Sequence, residues 1–166
     1  MGKRVLVGYA TKNGSSVGVA EKIGETLGAQ GHSVDVKPMT DRPSLDGYDA
    51  VVLGSAVNGG QWLPEAVNFA RSNRTELARV PVAVFCVHAM NCGTNESETV
   101  KRLAYLDEVR SLIKPSAEGY FAGKGPTSKD TFWLARWAFR KFGGHVVEGD
   151  GRDWNKIVAW TQSLAV

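Results

Sequence analysis

The chain has 166 residues, 43% of them hydrophobic and 22% charged, with a formal net charge of +3. That is enough for one ordinary domain with a substantial core, expected to span 1–166. No apolar run approaches the roughly 20 residues of a membrane span, and the opening MGKRVLVGYATKNG has too short an apolar stretch for a secretory signal, so a cytoplasmic protein is expected. Two cysteines, Cys86 and Cys92, are too few for a disulfide framework and lack metal-site spacing; reduced thiols and no metal are expected.

In chain order, residues 4–9 (RVLVGY) form a short apolar run that reads as a strand buried on both faces. A turn follows at 11–16 (TKNGSS). Val17, Ala20, Ile23 and Leu27 then recur at helical spacing until Gly28 and Gly31 close the segment. Residues 33–36 alternate as a strand, 50–54 (AVVLG) are a second fully apolar strand, and 64–77 read as a helix with Pro64 in its first turn. The run 82–87 (VAVFCV) is the third apolar strand. Residues 97–113 read as a helix with Val100, Leu103, Leu106, Val109 and Ile113 on one side. A last strand is predicted at 119–122, a helix at 129–142, and another at 153–164 capped by Asp150 or Asp153. Strands alternating with helices predict an α/β, doubly wound, five-stranded parallel sheet with helices on both faces, in the order 2-1-3-4-5. Ligands of such sheets sit outside the carboxyl ends of the strands, at the switch point between the first and third, which singles out the loops 10–16, 55–62 and 87–95.

The first of these loops packs Thr11, Lys12, Asn13, Gly14, Ser15 and Ser16 between a strand and a helix. A helix N-terminus offers free N–H groups and a positive dipole end to a phosphate; Gly14 allows a close turn, and three hydroxyls add donors. The alternative is a plain turn in which Ser15 or Ser16 caps the helix. Neither GxxxxGK[ST] nor GxGxxG is present, so the loop suits a single phosphate monoester. In this setting TKNGSS resembles the FMN phosphate loop of flavodoxins, [ST]-x-[TDN]-G-x-[ST], with Thr11, Asn13, Gly14 and Ser16 on the pattern. VVLGSAVNGGQW and VFCVHAMNCGTNE stand where that family has its two flavin-ring loops. The resemblance implies a flavodoxin-like fold and non-covalent FMN as cofactor.

On that resemblance Ala56, Val57, Asn58 and Gly59 flank the ring, with glycines that let the main chain approach N5. Trp62 either covers the ring or anchors the helix starting at Pro64. His88, Ala89, Met90 and Asn91 are the contacts expected from the third loop, His88 being either a hydrogen-bond partner of flavin or substrate or a structural histidine. Neither loop carries the acidic residues that crowd the FMN of many electron-carrier flavodoxins. The flavin carries the redox chemistry, so no catalytic side chain is expected.

The charge is unevenly spread. Between 123 and 144, Lys124, Lys129, Arg136, Arg140 and Lys141 oppose only Asp130, a local +4 that leaves −1 for the rest. The same segment holds Phe132, Trp133, Trp137, Phe139 and Phe142. It is either an extra packing helix or a surface for an apolar, anionic partner, formed by Arg136, Trp137, Arg140 and Lys141. With Gly143-Gly144, Glu148 and Asp153-Trp154 following in order, this region resembles the flavodoxin-type, menaquinone-dependent protoporphyrinogen oxidases of heme biosynthesis. That resemblance implies an FMN-dependent oxidoreductase that passes electrons from a porphyrinogen to a quinone, with peripheral contact at the inner membrane face. The other reading is a flavodoxin-like carrier shuttling electrons between redox proteins. No nucleic-acid partner is expected.

Overall fold

The computed structural model describes residues 2–125, 137, 141 and 144–166. Among the described residues five parallel strands form the sheet: β1 (Arg4–Ala10), β2 (Ser33–Pro38), β3 (Ala50–Asn58), β5 (Val82–His88) and β6 (Ala117–Ala122). They lie in the order β2-β1-β3-β5-β6. A two-residue strand, β4 (Gln61–Trp62), pairs antiparallel with the end of β3. Without this short addition the order is the expected 2-1-3-4-5.

Side chains alternate across each strand and so feed two cores. Leu6, Val51, Leu53 and Val84 face one side with Phe69, Leu106 and Val109. Val5, Val7, Val52 and Phe85 face the other with Ile23, Leu27, Phe121 and Ile157. The central strands are apolar without interruption because both their faces are covered.

The second core is covered by α1 (Ser15–Ala29) and α6 (Trp154–Gln162), the first by α2 (Pro64–Ser72), α3 (Arg74–Leu77) and α5 (Asp107–Leu112), while α4 (Glu96–Leu103), which precedes α5, buries Glu98 and adds nothing to that core. Asp153 is the cap of α6, its carboxylate accepting the Lys156 N–H at 3.0 Å, while Asp150 pairs with Arg152. Two predicted helices are broken. The one expected over 64–77 ends at Ser72, because the Asn73 amide donates to the Phe69 carbonyl at 2.8 Å and Asn73 leaves helical geometry (φ −111°). The one expected over 97–113 is interrupted by a 3-10 turn at Ala104–Leu106. That tighter turn rotates the apolar stripe: Leu106, Val109 and Ile113 are buried, whereas Val100 and Leu103 are 61% and 45% exposed.

Candidate functional site

The loops after β1, β3 and β5 leave the same edge of three neighbouring strands. In the first, Gly14 takes a left-handed conformation (φ 83°) and its N–H donates to the Thr11 hydroxyl oxygen at 2.9 Å. This folds Lys12 and Asn13 outward, both exposed, and starts α1 at Ser15. No side chain caps α1 and its first turn holds no acid. Ser15 is half-buried, and the bare Gly123 faces it: a Cβ there would come 3.4 Å from the Ser15 hydroxyl. Ser16 is fully buried, and its hydroxyl has no hydrogen-bond partner among the described residues. A buried polar group left unpaired costs about 1–3 kcal/mol. An orphan hydroxyl under an uncapped helix start, with a positive dipole end, fits a phosphate.

The second loop is a hairpin. Gly59 and Gly60 both have positive φ, 63° and 83°, the requirement of a two-residue turn between antiparallel strands. A Cβ at either would meet nothing within 4 Å, so the turn itself demands these glycines. The buried Ser55 hydroxyl closes the base of the hairpin, accepting the Leu63 N–H at 3.0 Å and donating to the Ala56 carbonyl at 2.8 Å. Ala56 and Val57 are half-buried, Asn58 and Gly59 exposed. Trp62 is only 3% exposed and packs in the first core beside Leu63 and Ala66. Of the two roles expected of Trp62 this burial fits the anchor of the hairpin and of the start of α2, and the indole N–H has no partner among the described residues.

The third loop is tied down on all sides. The buried His88 ring donates from Nδ1 to the Met90 carbonyl at 2.9 Å and lies 5.6 Å from the Tyr105 ring. Asn91, also buried, has φ 56° and donates from its amide to the Tyr105 hydroxyl at 2.7 Å. Ala89 and Met90 are half-buried. Burial holds His88 down to about 4, against the weaker opposing pull of its bond to Met90. The unfolded chain binds its proton below about 6.5, the folded chain only near 4. Stability due to this group should thus be intact above pH 6.5 and fall as the pH drops towards 4, with a slope of up to about 1.4 kcal/mol per unit. Urea unfolding at a series of pH values should show this slope, and His88→Gln should remove it. Burial also pushes both thiols up, Cys86 in the core and Cys92 in this loop.

Four residues here escaped the sequence reading. The Glu98 carboxylate accepts the N–H of Gly93 at 2.6 Å, that of His145 at 3.1 Å and the amide of Asn95 at 3.0 Å. Burial raises its pKa, but these bonds and one with the His145 ring outweigh that and bring it to about 2. Arg102 and Tyr105 hold the same loop from below, and His145 from the side. Only Asn95 and Glu98 gave a readable signal, as the N-cap and third position of a helix start.

Of the proposed partner surface, Trp137 is 54% exposed and the Lys141 ammonium lies 4.8 Å above its ring. Arg136 and Arg140, and the rest of the predicted 129–142 helix, lie outside the described residues. No helix among the described residues is long and apolar enough to cross a membrane.

A family model for the flavodoxin domain matches residues 6–136. The chain belongs to the flavodoxin domain family. No curated protein matches it, but solved structures do. This flavodoxin-domain chain is similar to oxidised flavodoxin 2 from Bacillus cereus, with 22% identity, a TM-score of 0.57, and coverage of 96% of this chain and 95% of that one. A flavodoxin from Streptococcus pneumonia TIGR4 gives 14% identity, a TM-score of 0.60, and 98% and 97% coverage. A mutant of Fusobacterium nucleatum flavodoxin, bound to flavin mononucleotide, gives 13%, 0.55, and 98% and 95%. At these identities the likeness is one of fold.

Proposed function

We propose that the chain binds FMN at the loops 11–16, 55–62 and 88–95 and works as an oxidoreductase that takes electrons from a porphyrinogen-like substrate and hands them to a quinone. The observation that carries the cofactor reading is the orphan Ser16 hydroxyl beneath the uncapped start of α1. That hydroxyl and the first N–H groups of α1 donate to the phosphate, while the Thr11–Gly14 bond keeps the loop turned around it. FMN supplies the redox chemistry. The chain orients it: the hairpin at Asn58–Gln61 flanks one side of the ring and the rigid 88–93 segment the other. His88 stays neutral at physiological pH and adds no charge.

The finer reading draws on the sequence. The ring loops 55–62 and 87–95 carry no acid, a local +4 lies between 123 and 144, and Trp137 is exposed beside Lys141. This combination suits an apolar, anionic partner, a porphyrin with carboxylates or a quinone at an anionic membrane face. The second reading, a one-electron carrier between redox proteins, is favoured by the flavodoxins among its structural relatives.

Purified protein supplied with protoporphyrinogen and a menaquinone analogue separates the two. The oxidoreductase should turn over, and changing Arg136, Arg140 and Lys141 together to Gln should slow turnover several-fold without altering FMN affinity. Rapid reduction by a redox protein with no turnover of porphyrinogen would leave the carrier reading. Failure to bind FMN would overturn both.

A further inference from the structure

The start of α1 carries a charge where the helix disfavours one. A helix N-terminus is a positive dipole end, so a cation laid against its first turns is unfavourable. The Arg152 guanidinium lies there. A Cβ at Gly18 would fall 2.6 Å from Arg152 Nη1 and 3.5 Å from Trp154 Cη2, so the bare Gly18 is what admits the group. Gly18 follows Ser15 by three residues, about 4.5 Å along the axis, and lies on the same side of the helix as Gly14 and Ser15.

The guanidinium is held firmly in this place. The Arg152 side chain is only 12% exposed, and its terminal carbon sits over the Trp154 ring at 4.7 Å from the centre. Asp150 accepts from Nε at 2.8 Å and from Nη2 at 2.6 Å, which leaves Nη1 as the edge turned to α1. The positive end of the ion pair therefore faces the positive end of the helix. No acid in the first turn of α1 offsets it, and no side chain caps the helix. Beside Ser15, the buried Ser16 hydroxyl has no partner among the described residues. Two sources of positive potential and an orphan donor meet at one helix start, and a bound anion satisfies all three.

We propose that Arg152 is a further binding residue of the phosphate site: its charge, admitted by Gly18 and aimed by Asp150, selects a doubly charged phosphate monoester at the start of α1. The proposal rests on the FMN reading above. A phosphate monoester carries about −1.5 to −2 at pH 7, whereas a helix end supplies only about half a unit of positive charge. The hydroxyl and N–H groups of the 11–16 loop orient the phosphate, and Arg152 adds charge from beside the first turn. A flavin without phosphate gains nothing from it.

The test titrates FMN and riboflavin into the parent, Arg152→Gln and Arg152→Lys, following flavin fluorescence. In Arg152→Gln the ratio of FMN to riboflavin affinity should fall about tenfold, the scale of one lost partly buried charge pair, with riboflavin affinity unchanged. Arg152→Lys, which keeps the charge, should retain most of the ratio. An unchanged ratio in Arg152→Gln overturns the proposal, and this includes the case in which both flavins weaken together, since Arg152 would then only brace α1 against α6. An equal fall in Arg152→Lys also overturns it, because charge would not be what the site reads. A parent that binds no FMN overturns this proposal together with the cofactor reading, whereas a parent that binds it with an Arg152-independent ratio overturns this proposal alone.

Discussion

Replacing Phe85 with Ala should cost about 3–5 kcal/mol of stability, the range for a buried aromatic, measured by urea denaturation. Phe85 is fully buried on β5, its ring centroid 6.1 Å from that of Phe121 and 6.3 Å from that of Trp160. It also occupies the space above Gly54, where a Cβ would fall 2.0 Å from the ring. Gly54→Ala should therefore destabilise the parent by about 1–3 kcal/mol through overpacking. In the Phe85→Ala background the added methyl should instead be tolerated or restore part of the loss, because it enters the vacated space. Losses that simply add in the double variant would show that the two positions do not compete for one volume.

The second large effect is at the phosphate loop. Thr11→Val combined with Ser16→Ala should weaken FMN binding by about 1–3 kcal/mol or more, because Ser16 loses a hydrogen bond to a charged group and Thr11 no longer accepts the Gly14 N–H that keeps the loop turned. Riboflavin, which lacks the phosphate, should bind both proteins alike. Ser16→Ala alone should leave the FMN-free protein as stable as the parent or slightly more so, since it removes a buried hydroxyl with no partner among the described residues. A constant ratio of FMN to riboflavin affinity across parent and variant would place the phosphate elsewhere.

The fold was legible because its decisive signals are local. Residues 4–9, 50–54 and 82–87 are apolar without alternation, which marks strands covered on both faces, and the helical stretches between them leave a parallel sheet as the natural solution. The TKNGSS turn was visible for the same reason: all its functional groups lie within six residues. Errors arose where geometry depends on a phase or on a distant contact. Val100 and Leu103 fit the apolar stripe on paper, but the 3-10 turn at Ala104–Leu106 shifts the phase and leaves them outside. The Asn58–Gln61 hairpin was present in the sequence as NGG and was read only as room for the flavin, although the two positive φ angles are what the glycines serve. Of the ties on the third loop only the helix start at Asn95 and Glu98 was readable, whereas the bond of Glu98 to His145 spans 47 positions and leaves no local signal.

Those ties also set how a change far along the chain reaches the candidate site. The Val147 N–H donates to the Ala89 carbonyl and the Cys92 N–H to the His145 carbonyl, both at 2.9 Å. The third loop is thus braced by a segment that belongs to none of the three loops of the site, and a proline at Val147, which removes that N–H, disturbs the loop from outside it.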